Sequence, residues 1–134
     1  MYRTNMMTYP MIVHHPMAVY QNTYRFPQYQ TLQMVQNCEA TCEYTRNEIL
    51  KMEDIQSRQK QLKLLSDCAN ICTLTAQYVA SQSQFAKSLA SLCAQVCEAC
   101  GNHCLNHSDK VSEACGQICL NCAHECREFA GARF

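Results

Sequence analysis

Glycine and proline are scarce in this chain of 134 residues: there are three of each, and all three prolines, Pro10, Pro16 and Pro27, precede residue 28. So few helix breakers exclude the loop-rich, disulfide-stapled domain that abundant cysteine signals in a small secreted protein. Net charge is lacking too, with Lys plus Arg equal to Asp plus Glu at 11 each, so nothing points to nucleic acid or an anionic membrane as partner. No apolar run approaches the roughly 20 residues of a membrane span. The most apolar early segment, Met11-Ile-Val, is cut by His14-His15-Pro16, so no signal peptide is expected. The expected location is cytoplasmic, where thiols stay reduced and cysteines bind metal more often than each other. No grouping of nucleophile, base and oxyanion donors emerges, and the chain is not expected to be an enzyme.

What is present is cysteine, twelve residues of it, in a background of Gln, Ala, Leu, Glu and Lys that favours helix. The length suits one domain with a real core. Residues 1–27 stand apart: they hold five of the seven methionines and no acidic residue. Their prolines forbid a long helix and no period is sustained, so this stretch reads as an extended arm. It is either a tether, a place where Met, His14 and His15 catch a soft metal, or an attachment to a larger assembly through tyrosine.

Residues 28–134 are periodic. Cys93, Cys97, Cys100 and Cys104 repeat the spacing of Cys115, Cys119, Cys122 and Cys126, CxxxCxxCxxxC in both cases. Steps of four, three and four residues at about 100° each keep the four sulfurs within a stripe roughly 60° wide on one helix. The same register recurs earlier as Cys38, Cys42, Thr45, Ile49 and as Cys68, Cys72, Thr75, Val79. A first helix is expected from about Gln28 to Met52, and a second from Ser57 to Ser81 after a weakly marked break at 53–57. The third is capped from Ser81-Gln-Ser83, and the fourth is capped by Ser108 or Asp109 and closed by Gly131. Four amphipathic helices on short turns predict an all-α fold, an antiparallel four-helix bundle with cysteines lining its core. At about 1.5 Å per residue, Cys38 and Cys72 lie level with Cys93 and Cys122, and Cys42 and Cys68 with Cys97 and Cys119. Cys100, Cys104 and Cys115 continue towards the turn between the last two helices, and Cys126 reaches the other way.

An occasional inward cysteine is ordinary core, but twelve on matched stripes forgo the apolar volume that leucines would supply, a loss of about 2–5 kcal/mol wherever a cavity results. Disulfides between facing helices are a second reading. Metal is the third, and the one the rows suit best, since thiolates select Cu(I), zinc or iron–sulfur clusters. Cu(I) accepts two or three thiolates, so successive CxxxC pairs can hold several ions per chain. Zinc requires a closed tetrahedron, and iron–sulfur clusters usually draw their four cysteines from irregular loops.

These regular CxxxCxxCxxxC helices, in a four-helix chain of this length, resemble the copper storage proteins of bacteria over about residues 30–130. The resemblance implies Cu(I) bound by thiolates inside the bundle, with Cys38, Cys42, Cys68, Cys72, Cys93, Cys97, Cys100, Cys104, Cys115, Cys119, Cys122 and Cys126 all candidate ligands. It also implies storage or buffering, assembly as a homo-oligomer, often a tetramer, and either an exported or a cytosolic address. Thr45, Ile49, Thr75 and Val79 replace stripe cysteines, which implies a lower capacity than in the richest members. The arm is also similar to spore-coat proteins. The alternative function is therefore structural, in a spore layer where Cys and Tyr cross-link.

His107 extends the third helix's stripe and His103 lies at its edge, so both are candidates for passing Cu(I) to Cys104 at that end of the bundle. Met52, near the same end, and Met34 bracket the first stripe and are candidates for a similar role. His124 points away from its cysteines, towards solvent or another subunit. Gly101 and Gly116 each cost about 1 kcal/mol relative to alanine in a helix. The missing Cβ admits a close approach by either a neighbouring backbone or a second subunit.

Overall fold

The computed structural model of the protein describes residues 27–132. The rest of the N-terminal arm, with His14 and His15, lies outside the described residues. Four α-helices follow: α1 Tyr29–Ile49, α2 Gln59–Ala80, α3 Ala86–Cys104 and α4 Lys110–Gly131. A short 3-10 helix, Ile55–Arg58, precedes α2. Each helix packs on its chain neighbour, and α1 closes the ring against α4, giving an antiparallel four-helix bundle. Among the described residues there is no strand.

Each helix forms because its inward residues recur every three or four positions while polar residues take the rest. In α1 the buried positions are Thr31, Leu32, Val35, Cys38, Cys42, Thr45 and Ile49; in α2 they include Gln61, Leu65, Cys68, Cys72, Thr75 and Val79. Where α1 was expected to run to Met52 it ends at Ile49, tightening through Lys51 N–H to Glu48 O and Met52 N–H to Ile49 O. The start of α2 moves from Ser57 to Gln59. The cause is tertiary. Arg58 turns its side chain into the bundle, where its guanidinium reaches Asp54 at 2.9 Å, Gln61 at 3.1 Å and Asp109 at 2.8 Å. That anchor holds the connection as a compact corner.

The expected serine cap of α3 is not formed: Phe85 takes the N-cap position with no side-chain capping bond, and its own N–H donates to Ser83 Oγ at 3.0 Å in the preceding turn. Asp109 caps α4 as expected by accepting from the Ser112 N–H at 3.0 Å. At the end of α2 the Ser83 N–H bonds to Tyr78 O and the Gln82 N–H to Val79 O, with Gln82 left-handed at φ 55°. This is a Schellman stop in which glutamine occupies the place glycine prefers.

Gly101 and Gly116 face each other across α3 and α4. A Cβ on Gly101 would lie 3.0 Å from Gly116 O, and one on Gly116 would lie 3.0 Å from Gly101 O and 2.8 Å from Leu105. The close approach is therefore between two backbones of one chain. It draws together the two helices that carry most of the cysteine.

The axis is sulfur for most of its length and changes character at its ends. Leu32, Val79, Ala86 and Phe129 are buried at one end. Arg58, Gln61 and Ser112, all polar and buried, fill the other.

Candidate metal centre

All twelve cysteines are fully buried and none is in a disulfide. The sulfurs of nine of them form a continuous chain of contacts. At one end Cys93 lies 3.8 Å from both Cys72 and Cys97. Cys97 lies 3.5 Å from Cys68, which is 3.8 Å from Cys38 and 4.0 Å from Cys119. Cys119 touches Cys42 at 3.6 Å, Cys38 and Cys100 at 3.9 Å, and Cys115 at 4.0 Å. These separations fit S–H···S contacts and far exceed the roughly 2.05 Å of a disulfide.

Two groups of four converge closely enough to hold an ion. The sulfurs of Cys38, Cys42, Cys68 and Cys119 lie within 4.8 Å of one another, and so do those of Cys38, Cys72, Cys97 and Cys122. Cys38 belongs to both. The level layers expected from helical rise are thus replaced by interleaved ones: Cys97 joins Cys38, Cys72 and Cys122 where Cys93 was expected, and Cys38 joins Cys42, Cys68 and Cys119 where Cys97 was expected. Side chains lean towards the N terminus of their own helix, so sulfurs on antiparallel neighbours are displaced in opposite directions. Cys104 and Cys126 mark the two ends, and the Gln61 amide donates to Cys104 Sγ at 3.4 Å.

Mutual hydrogen bonding sets the thiols unequally. Hydrogen bonds from Cys104, Cys119 and Cys42 bring Cys100 down to about 6, whereas Cys104 is raised by Cys100 and Cys115. Cys119 is likewise raised by Cys100, Cys115, Cys38 and Cys42. A sulfur that receives hydrogen bonds gives up its proton readily, and the donors hold theirs. A soft cation arriving in such a network displaces protons in turn.

His103 and His107 meet edge to face at the end of α3, with ring centroids 5.4 Å apart. Burial, followed by the charges of His107 and Lys60, holds His103 below the ordinary histidine value, which favours the neutral imidazole. Its ring lines a surface depression with Lys60, Leu64 and Asn106. Met52 and Met34 are half-buried and pack against the core, Met52 at the histidine end and Met34 towards the opposite end. His124 is exposed.

A sequence profile of the copper storage protein family matches residues 26–131. The chain belongs to the copper storage protein family. Within that family it is similar to the Cu(I)-bound copper storage protein BsCsp3, at 29% identity and a TM-score of 0.74, covering 76% of this chain and 96% of that one. A cytosolic copper storage protein from Streptomyces lividans, loaded with five coppers, shares the fold at 23% identity and a TM-score of 0.74, over 78% of this chain and 92% of that one. The uncharacterized cysteine-rich protein YhjQ of Bacillus subtilis (strain 168) is 36% identical over 69 residues, or 52% of this chain. The match spans 64% of that protein's length.

Against this family background, the polar cluster at the histidine end is what reading the cysteines alone missed. Gln61 Nε2 donates to Ser112 Oγ at 2.8 Å as well as to Cys104, and Arg58 joins Gln61 to the Asp109 carboxylate. A signal was available: Gln61 sits four residues before Leu65 and seven before Cys68, on the α2 stripe itself. Arg58 carried no such signal, because it precedes the helix and is buried only by the fold.

Proposed function

We propose that this copper storage family member takes up, holds and releases several Cu(I) ions per chain in its thiolate-lined core, as a store or buffer and not as an enzyme. The observation that carries this reading is the pair of four-sulfur groups sharing Cys38 within one unbroken, fully buried thiol network. Cu(I) is soft and satisfied by two or three thiolates, so each ion can bridge neighbouring sulfurs and the filling can spread along the row. All twelve cysteines are assigned as ligands. Ions pass through the end bearing Cys104 and Cys115, where His103, His107 and Met52 stand, because that end is filled by the polar groups of Arg58, Gln61 and Ser112, whereas the opposite end is packed with the apolar side chains of Leu32, Val79 and Phe129. A cross-linking role in a spore layer fits poorly, since intermolecular disulfides need accessible thiols and every cysteine is buried.

The protein acts as a homo-oligomer in the cytoplasm. Large apolar side chains left exposed, Tyr44, Leu74, Phe85 and Leu92, support association, and free thiols support a reducing compartment. No helix among the described residues is long and apolar enough to cross a membrane.

Titrating the reduced protein with Cu(I) against a chromogenic Cu(I) chelator tests the reading. Several ions per chain should be withheld from the chelator; one ion or none would end it. Zinc or iron taken up in preference to Cu(I) would do the same.

A further inference from the structure

Gln61 is fully buried, and both ends of its amide are engaged. Its Oε1 accepts from Arg58 Nη1 at 3.1 Å, and a guanidinium can only donate, so the amide cannot be turned over. Nε2 is therefore committed to the other side, where it donates to Ser112 Oγ at 2.8 Å and to Cys104 Sγ at 3.4 Å. The guanidinium is fixed in turn by Asp54 at 2.9 Å and Asp109 at 2.8 Å, and also reaches Ser112 Oγ at 3.4 Å. Two carboxylates hold one arginine, that arginine sets the direction of one amide, and the cluster ends with an N–H aimed at sulfur.

A neutral thiol is only a weak acceptor, so in the metal-free protein this N–H gains little from Cys104. A thiolate is a much better one, since a hydrogen bond to an ionised acceptor is roughly twice as strong as a neutral one. Because Arg58 orients the amide before any metal arrives, nothing has to turn when the negative charge appears on the sulfur. Gln61 is not itself suited to be a ligand: its oxygen faces Arg58, and oxygen is a hard donor that Cu(I) does not favour.

We propose that Gln61 is a positioning residue for copper at the histidine end: its N–H donates to Cys104 once that sulfur is a metal-bound thiolate, and it sets how firmly the ion there is retained. When Cu(I) binds, the Cys104 S–H bond breaks, the proton passes to the buffer, and the electron pair left on sulfur forms the Cu–S bond. Copper stays Cu(I), and Gln61 gives up no proton. The inference rests on the Cu(I) storage reading above, with Cys104 among the ligands.

The test is a double-mutant cycle on the full-length reduced protein, comparing wild type, Gln61→Leu, Cys104→Ala and the double variant after Cu(I) loading. Gln61→Leu should lose its most weakly held copper at about tenfold lower chelator concentration than wild type, the usual scale for one hydrogen bond to a charged group. In the Cys104→Ala background the same change should shift retention by less than about twofold, because the sulfur it acts on is gone. Unaltered retention in Gln61→Leu overturns the proposal. So does an equal loss with and without Cys104, which marks a merely structural role, and so does a Cys104→Ala protein that holds as much copper as firmly as wild type. If Gln61→Leu does not fold, Gln61→Glu runs the same cycle at pH 7 with the same outcomes, since its carboxylate keeps a partner for Arg58 and offers Cys104 no donor. A wild type that binds no Cu(I) overturns the storage reading; normal wild-type loading with unaltered Gln61→Leu retention overturns this inference alone.

Discussion

At the scale of single residues, the least expected one is Arg58. Its guanidinium is buried at the end of the sulfur row, yet it bonds Asp54, Asp109, Gln61 and Ser112, and through Gln61 reaches Cys104. Isolating that cation would leave a desolvated charge, a far larger loss than breaking an exposed ion pair. Asp109→Asn keeps a competent helix cap while removing the charge, so it should cost about 2 kcal/mol in urea unfolding at pH 7. Burial alone would raise Asp109, but hydrogen bonds from Ser112 and Arg58 and the guanidinium charge outweigh it and hold the carboxyl below its ordinary range. With a folded-state value below the unfolded one, the stabilisation is complete above about pH 4 and is lost as pH falls through the lowered value. Unfolding midpoints measured from pH 7 down to pH 3 should therefore fall less steeply below pH 4 in Asp109→Asn than in the wild type.

At the scale of elements, the helices obey local rules except where two of them touch or stop. Replacing a helical glycine by alanine ordinarily stabilises by about 1 kcal/mol. Here the sign should reverse. A Cβ on Gly116 would meet Leu105 at 2.8 Å and Gly101 O at 3.0 Å, and the backbone oxygen cannot swing aside. Gly116→Ala should lower stability by about 1 kcal/mol once the overpacking cost is set against the propensity gain, as thermal unfolding of the metal-free protein would show. A rise in melting temperature would mean that the α3–α4 seam is looser than the distances indicate. Gln82 presents the opposite case, because its left-handed φ of 55° costs an L-residue about 1–2 kcal/mol. Gln82→Gly should accordingly raise the unfolding midpoint by somewhat less than that, since glycine also loosens the unfolded chain.

At the scale of the molecule, the bundle is a sleeve whose core is held by weak sulfur contacts when empty. Cu(I) bridging sulfurs from different helices would tie α1 to α4 and α2 to α3. Any ion that binds the folded chain alone raises its stability by mass action, by about 4 kcal/mol when free ligand is a thousand times the dissociation constant. The loaded protein should melt well above the metal-free one and return to the lower temperature when a strong chelator removes the copper. Each ligating thiol gives up a proton, so loading should acidify a weakly buffered solution and retention should weaken as pH falls. Loading without proton release would require ligands other than thiols.

Which side chains face inward was legible from the residues alone. A three-and-four spacing that closes on itself every eleven residues puts Cys93 to Cys104 on one face whatever surrounds the helix, and short turns leave four such faces little choice but to meet. The helix limits at Ile49 and Gln59 were not legible, because Arg58 ends α1 and delays α2 through partners 51 and 54 residues away, at Asp109 and Ser112. Nor was the grouping of sulfurs around Cys38, or the pairing of Gly101 with Gly116. Periodicity gives the direction a side chain points around its own axis, while axial stagger and the distance between helices depend on which neighbours lean towards one another. The sequence by itself determined a thiol-lined four-helix bundle; only tertiary packing decided which thiols share an ion-sized space, because that depends on separations between helices and not along them.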